Sequence, residues 1–449
     1  MKYHRRFGLA LAFFFIFQNW LLAFPHLQSD TLKVLAIRVE FQADENPATT
    51  GDGRFDMSTS SDPFQVDPPP HNRSYFQDHL IFAKNYFQKV SQGQLIVQGK
   101  VFPREQNSAY QLDHPMEFYN PNTTPQEINQ GLARLLQEAV QKADADPDIQ
   151  FSRYDAVVVF HAGVGRDIDL GLDNTPQDIP SLFITSTFLQ NNLGIDGIVV
   201  DDGETVIRNG ILLPETESQE GLQLGLNGML VSNLGSFLGW PDLFSPDTRR
   251  SGVGRFGVMD AGLFNGDGLL PAIPTAWTRI IAGWESPQTI FQAQGDEFTV
   301  YHPLSNQGPH VYKIPINRRE YFLVENRYSG KKSLDSLQFV MSDQRGELVG
   351  MREVLETHLS DQVQFSDSTG VLLDIDNPDR GLPGGGILIW HIDETVIEAN
   401  RSTNRINADP NHRGVDLEEA DGSQDIGAEF DFLSGGSGSE IGTALDPWY

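Results

Sequence analysis

The sequence contains no cysteine among its 449 residues. Disulfide bonds, cysteine nucleophiles and cysteine-ligated zinc sites are therefore excluded. Histidine is scarce, and the eleven histidines stand at positions 4, 26, 71, 79, 114, 161, 302, 310, 358, 391 and 412. No two are three or four residues apart, so no helix can present a histidine pair to a metal ion. The GxSxG motif of serine hydrolases is also missing.

Basic residues are few. The chain has 32 lysines and arginines against 61 aspartates and glutamates, a formal net charge of −29. Such a charge repels the phosphates of nucleic acids and of anionic lipids, so we expect no nucleic-acid partner. Carboxylate-rich cation sites and a merely soluble acidic surface both remain as explanations of the excess.

Only the N-terminus carries an apolar run that approaches the thickness of a bilayer. Lys2, Arg5 and Arg6 precede this run, which extends from Phe7 to Ala23. The pattern predicts a signal peptide over residues 1–23 and a secreted protein, extracellular or periplasmic, with no membrane partner after cleavage. An uncleaved membrane anchor is the alternative.

The remaining chain changes character near residue 290, and its length allows more than one domain. Residues 24–290 combine apolar strands such as "TLKVLAIRVEFQ" and "DAVVVFHAGVG" with the helical spacing of "PQEINQGLARLLQEAVQKADAD". Residues 291–433 contain short segments typical of strands, among them "EFTVYHPL", "HVYKIPI", "EYFLVENR", "LQFVMS" and "GGILIWHIDE". Residues 434–449 are rich in glycine and serine and are expected to form a mobile tail. The fold class predicted is α+β, with a β-rich second half.

The stretch "LVSNLGSFLGWPDLF", residues 230–244, has the residue spacing of a zinc peptidase helix, but it lacks the side chains that bind zinc and accept a proton. In HExxH, two histidines four residues apart bind zinc and the glutamate accepts a proton from the bound water. Ser232 and Ser236 keep that spacing, and Asn233 stands in the position of the glutamate. A neutral hydroxyl is a poor zinc ligand, and an amide cannot accept and hold a proton.

Nine segments resemble, in order, those of the immune inhibitor A-like secreted zinc metallopeptidases. The resemblance covers most of the chain from about Leu32 to Gly427. The segments read "NYFQKVSQGQLIVQGKVFP", "RYDAVVVFHAG", "LPET", "LGSFLGWPDLF", "GRFGVMDAGLFNGDG", "TAWTRIIAGWESP", "EYFLVENR", "LPGGGILIWHIDE" and "GVDLEEADGSQDIG". The resemblance implies a zincin-like metallopeptidase domain, proteolysis with zinc as catalytic metal, structural calcium and secretion. It places the zinc ligands at Ser232, Ser236 and Asp242, the general base at Asn233, and Met259 in the turn under the metal.

Three hypotheses of function follow. The first is a pseudopeptidase that has lost its zinc and binds polypeptide in the former cleft. The second is an active metalloendopeptidase whose metal site is assembled from other residues. The third is an extracellular structural protein braced by calcium.

Carboxylate-rich loops are the candidates for calcium, which takes six to eight oxygen ligands. The first loop, "DIDNPDRG", offers Asp374, Asp376 and Asp379. The second, "DLEEADGSQD", offers Asp416, Glu418, Glu419, Asp421 and Asp425. Neither has the spacing of an EF-hand.

Three further motifs have a structural and a functional interpretation. In "HIDE", His391 and Asp393 share one strand face, and both they and His161 are interpreted as structural rather than metal-binding. In "GVGRFG", the glycines match a dinucleotide fingerprint, but no strand leads into them, so a turn is predicted.

Overall fold

The computed structural model describes residues 30–169, 174–219, 221–292, 295–330, 349–429 and 438–449, and the backbone of residues 12–13. The remainder of the predicted signal peptide lies outside the described residues. Within the described part, no helix is long and apolar enough to cross a membrane.

The described residues form seventeen strands and eight α-helices, which are numbered in chain order. The strands are β1 (Ala12–Phe13), β2 (Thr31–Glu40), β3 (Ile96–Phe102), β4 (Tyr110–Gln111), β5 (Ala156–Val164), β6 (Ile168–Asp169), β7 (Leu182–Ile184), β8 (Ile198–Val200), β9 (Thr205–Ile207), β10 (Gly210–Thr216), β11 (Gln288–Thr289), β12 (Val311–Pro315), β13 (Glu320–Arg327), β14 (Val363–Phe365), β15 (Leu372–Ile375), β16 (Gly386–Asp393) and β17 (Val415–Leu417). The helices are α1 (Arg73–Val90), α2 (Met116–Tyr119), α3 (Pro125–Asp144), α4 (Ser186–Leu193), α5 (Asn227–Phe237), α6 (Ala276–Ile281), α7 (Met351–His358) and α8 (Glu394–Asn400).

The N-terminal half is built on a sheet with the order β3-β2-β5-β10-β7, and β4 continues beside β2. Strands β3, β2, β5 and β10 are parallel, whereas β7 pairs antiparallel with β10 at the edge. The apolar runs of β2 and β5 are almost wholly buried, as expected for central strands of a parallel sheet. The chain combines helices with several sheets, which is compatible with the predicted α+β class.

Helix boundaries follow local signals in the sequence. The Asn72 side chain accepts N–H groups of Ser74 and Tyr75 at the start of α1. Thr124 and Glu127 form a capping box at the start of α3. These caps satisfy N–H groups that have no partner within the helix, and so they fix where each helix begins.

The C-terminal half contains a second sheet with the order β11-β12-β13-β16-β17. In β13, buried side chains alternate with half-buried ones, which is the pattern predicted for "EYFLVENR". The strand expected in "EFTVYHPL" is absent, and this prediction was wrong: residues 297–304 form turns and irregular backbone. "LQFVMS" lies outside the described residues.

Both halves share one hydrophobic core, whose buried side chains extend from Leu32 to Ile426. Helix α1 contributes to the junction, because its Lys89 ammonium pairs with Asp374 at 2.7 Å and its Asn85 amide donates to the carbonyl of Leu373 at 2.9 Å. The boundary predicted between residues 290 and 291 therefore does not separate two cores.

The mobile tail predicted for the C-terminus is wrong for residues 438–449. Trp448 and Ile387 exchange backbone hydrogen bonds in both directions, and the N–H of Ala420 donates to the carbonyl of Asp446. The Asp446 side chain is fully buried. Glycine and serine thus form turns here rather than a solvated tail. Residues 434–437 lie outside the described part of the chain.

Candidate functional site

Helix α5 carries the positions at which zinc was expected, and it is buried along most of its length. The chain leaves it through Gly239, whose φ of 84° suits a residue without Cβ. This turn brings Trp240 back onto the helix. A Cβ built on Gly235 would lie 2.5 Å from the indole of Trp240 and 2.9 Å from the sulfur of Met259. Glycine at 235 therefore permits close contact of the helix with both residues.

The side chains at the three degenerate positions are buried or half-buried. Ser232 Oγ lies 4.0 Å from Met259 Sδ. Asn233 is buried, and its amide donates back to the Met229 carbonyl at 3.0 Å. Ser236 is buried as well. The structure thus places Met259 beside the first degenerate position, although the two residues are 27 positions apart along the chain.

Asp242 forms a reciprocal pair with Asn404. Its N–H donates to Asn404 Oδ1 at 2.9 Å, and its carboxylate accepts from Asn404 Nδ2 at 2.6 Å. Burial raises the pKa of Asp242 to about 7, and the nearby Asp260 adds to this effect. The only metal-competent side chain among the zinc positions is therefore held by a partner from the C-terminal half.

These residues do not fit catalytic zinc. Two hydroxyls and an amide supply no imidazole and no anion, and Asp242 adds a single carboxylate where three protein ligands are needed. Among the described residues, only Glu419, Asp421 and Asp446 form a group of three or more His, Asp or Glu close enough to share an ion.

The "GVGRFG" stretch is a turn, as predicted, and it surrounds a carboxylate of the protein itself. Asp260 Oδ2 accepts the N–H groups of Gly252 and Val253 at 2.7 Å and of Gly254 at 3.1 Å. Its Oδ1 accepts the hydroxyl of Ser251 at 2.8 Å. The N–H groups that would hold a phosphate in a dinucleotide site are thus already bound. Sequence reasoning missed this role of Asp260.

Asp374, Asp376 and Asp379 of the first acidic loop, for which calcium was predicted, do not form a group close enough to share one ion. Each carboxylate is already paired with a basic side chain: Asp374 with Lys89 at 2.7 Å, Asp376 with Arg380 at 3.0 Å, and Asp379 with Arg327 at 2.5 Å. These pairs neutralise the negative charge that would attract calcium.

The second acidic loop is brought together only in part. Glu419 and Asp421 meet Asp446 from the C-terminal segment, with one oxygen from each within 4.8 Å of the others. Asp416 instead pairs with Arg413 at 2.7 Å, and neither it nor Glu418 belongs to the group. Asp446 was missed because it lies in the segment predicted to be a mobile tail.

The three carboxylates crowd one another. Burial raises the pKa of Glu419 to about 7, and Asp446 and Asp425 contribute to the shift. Burial likewise raises the pKa of Asp446. Asp425 Oδ1 is buried without a hydrogen-bond partner. A group of carboxylates destabilised by mutual repulsion fits an oxygen-binding cation such as calcium, and Glu419, Asp421 and Asp446 would hold it.

The histidines singled out in the sequence have structural partners. Asp393 caps α8 by accepting N–H groups of Thr395 and Val396, and it contacts His412 Nε2 at 3.0 Å. His391 lies 3.8 Å from a carboxylate oxygen of Glu320. His161 is fully buried, with Nδ1 2.9 Å from the Ala162 carbonyl, and burial lowers its pKa to about 4.

Comparison of the sequence with models of protein families and with curated proteins finds no match.

Proposed function

We propose that this protein is a secreted member of the immune inhibitor A-like peptidase group whose zinc site has been lost, and that it binds polypeptide without cleaving it. The observation that carries the proposal is the placement of Met259 against Ser232. A methionine from a later glycine-rich turn contacts the helix at the first degenerate position, which supports the arrangement that the resemblance implies, and the histidine and glutamate side chains of a zinc site are missing from the helix.

The surroundings of α5 support a zincin-like arrangement. The helix packs against β10 and against β7, the antiparallel edge strand of the sheet. Phe183 of β7 and Phe237 of α5 contact each other, with ring centroids 6.1 Å apart. An edge strand beside a catalytic-type helix is a setting in which an extended polypeptide can bind through its backbone. Binding of this kind needs no metal.

The first test is elemental analysis of the mature secreted chain, purified without chelator and dialysed against trace zinc and calcium. We expect no stoichiometric zinc and no cleavage of casein. About one zinc per chain together with chelator-sensitive cleavage would overturn the proposal and favour an active metalloendopeptidase with an atypical site. Binding of denatured casein is measured in parallel, and its absence would remove the polypeptide-binding role.

The second test restores the chemistry at the three degenerate positions. In the triple variant S232H/N233E/S236H, two imidazoles four residues apart return to one helix face, and we expect about one zinc per chain. The single variant S232H is the control and should take up none. If the folded triple variant binds no zinc, the proposed correspondence of α5 to a zinc helix fails.

A second candidate function is that of a calcium-braced extracellular protein, favoured by the group of Glu419, Asp421 and Asp446. The group joins the β17 loop to the C-terminal segment. An ion there would fix that segment to the second sheet, and the two functions are compatible.

A further inference from the structure

A cleft with a volume of about 870 Å³ lies at the carboxyl ends of the parallel strands, away from the degenerate zinc positions. It is bordered by Glu40 at the end of β2, Val164 at the end of β5 and Glu215 near the end of β10. The chain crosses from β2 to β3 on one side and later to β5 on the other, so β2 and β5 flank a topological switch point. In open α/β sheets, ligands bind in the crevice at this point.

The floor of the cleft contains a buried pair, His71 and Glu215. Their Nδ1 and Oε2 atoms are 2.6 Å apart. Glu215 also accepts the N–H of Gly163 through Oε1 and that of Asp56 through Oε2. Burial by itself lowers the pKa of His71, but the hydrogen bond and charge of Glu215 outweigh it and raise the pKa. This pair is internally satisfied, so it shapes the cleft rather than adding charge to it.

The cleft is nonetheless strongly acidic. Besides Glu215, its lining includes four carboxylates, those of Glu40, Asp52, Asp56 and Asp67. Arg54 pairs with Glu40 at 3.2 Å and compensates that charge. The remaining carboxylates are those of the exposed Asp52 and Asp56 and that of Asp67, which faces the buried His79. The Arg54–Glu40 pair also shows that a guanidinium fits against this wall.

Asp67 lines the cleft, and one oxygen of its carboxylate has no hydrogen-bond partner. The residue is 2% exposed, and its Oδ2 accepts the N–H of Leu226 at 2.8 Å. Its Oδ1 is buried with no hydrogen-bond partner. Behind it, Nδ1 of the fully buried His79 contacts Asn227 Oδ1 at 2.8 Å, and Nε2 of the same ring lies 3.8 Å from Asp67 Oδ2. Unsatisfied buried acceptors are costly, and a ligand that brings N–H donors removes the cost.

We propose that this cleft binds an ammonium or guanidinium group, as carried by lysine and arginine side chains or by small amines. No three of its carboxylates are close enough to share one ion, which disfavours a metal. A guanidinium with five N–H donors can reach carboxylates that are further apart. None of the degenerate zinc positions lines the cleft, so the inference does not depend on the function proposed above.

The test is calorimetric titration of the full mature chain at low salt with N-acetyl-arginine amide and with the neutral isostere N-acetyl-citrulline amide. We expect saturable binding of the arginine probe, weakened by salt, and none of the citrulline probe. The acetylated peptide amide Gly-Arg-Gly distinguishes the two sources: tighter binding than the single residue indicates a polypeptide ligand, and equal binding indicates a small amine. Equal binding of arginine and citrulline, or no binding of either cationic probe, would overturn the proposal.

Two sets of variants locate the site. Asp52 and Asp56 are exposed, and each accepts an N–H two residues ahead, so D52N/D56N should fold and weaken arginine binding by about tenfold. D62N is the matched control, because Asp62 makes the same local hydrogen bond to Phe64 but does not line the cleft. D67N tests the buried acceptor directly and should also weaken binding. An unchanged affinity in the folded D52N/D56N variant would contradict the assignment.

Discussion

Asp379 accepts two hydrogen bonds from Arg327 in the interior of the protein, from Nε to Oδ2 and from Nη2 to Oδ1, both at 2.5 Å. Both side chains are fully buried. Burial alone would raise the pKa of Asp379, but the Arg327 guanidinium holds it well below its usual range. The pair joins β13 to the loop after β15, where the sequence had suggested calcium.

Removing the charge of Asp379 should be strongly destabilising. We expect D379N to lower the free energy of unfolding by about 3–5 kcal/mol, because the buried Arg327 loses the carboxylate that binds it through two hydrogen bonds and is left with the longer ion pair with Glu325 at 3.4 Å. The control D376N breaks the partly exposed pair with Arg380 in the same loop and should cost at most about 1 kcal/mol. Urea unfolding of both variants measures the difference. Equal costs would mean that the Arg327–Asp379 pair is not important for stability.

The close contact of α5 with Trp240 and Met259 makes a second prediction. Alanine normally stabilises a helix relative to glycine by about 1 kcal/mol. At position 235 the new Cβ would meet the buried Trp240 ring at 2.5 Å, so we expect G235A to destabilise the protein by about 1–3 kcal/mol. G350A is the control, since a Cβ there meets nothing within 4 Å. Thermal unfolding that leaves G235A at or above the wild type would refute this packing.

Calcium should stabilise the folded chain through Glu419, Asp421 and Asp446. At a calcium concentration one hundredfold above Kd, the expected gain in the free energy of unfolding is about 2.7 kcal/mol. The double variant D421N/D446N should lose this gain, whereas D416N, whose carboxylate pairs with Arg413 instead, should retain it. Melting temperatures with calcium and with chelator provide the measurement. A wild type that melts at the same temperature in both would exclude a structural calcium at this group.

The buried carboxylates Asp167 and Glu217 predict a pH dependence of stability. Burial and the neighbouring Asp167 raise the pKa of Glu217, and burial raises that of Asp167. The two carboxyl groups therefore hold their protons more tightly in the folded chain than in the unfolded chain. This difference contributes to the free energy of unfolding below about pH 4, and the contribution is lost as pH rises through the raised pKa values. The expected slope is about 1.4 kcal/mol per pH unit for each proton.

In the neutral variant E217Q, the free energy of unfolding should decrease less between pH 5 and 8 than it does in the wild type. E204Q, which alters an exposed glutamate, is the control and should keep the wild-type slope. Unfolding is followed in chelator at each pH, so that a bound cation does not contribute. A slope in E217Q equal to that of the wild type would show that the pair does not titrate in this range.

Much of the local structure could be predicted from the sequence because its causes are local. The apolar runs of β2 and β5, the spacing along α3 and the turn in "GVGRFG" all depend on neighbouring residues. The alternating pattern of "EFTVYHPL" predicted a strand, but residues 297–304 do not pair with any strand in the described structure. Propensity for a strand is realised only where a partner strand is available.

The sequence by itself determined that the positions on α5 lack the ligands of a zinc peptidase, since the chemistry of Ser232, Asn233 and Ser236 does not depend on the fold. Only the tertiary structure decided which carboxylates pair with basic side chains and which lie beside other carboxylates. Asp379 is neutralised by Arg327, while Glu419 meets Asp446 from a segment that looked like a tail. Charges interact through space over a few ångströms, and spacing along the chain does not reveal those distances between remote segments.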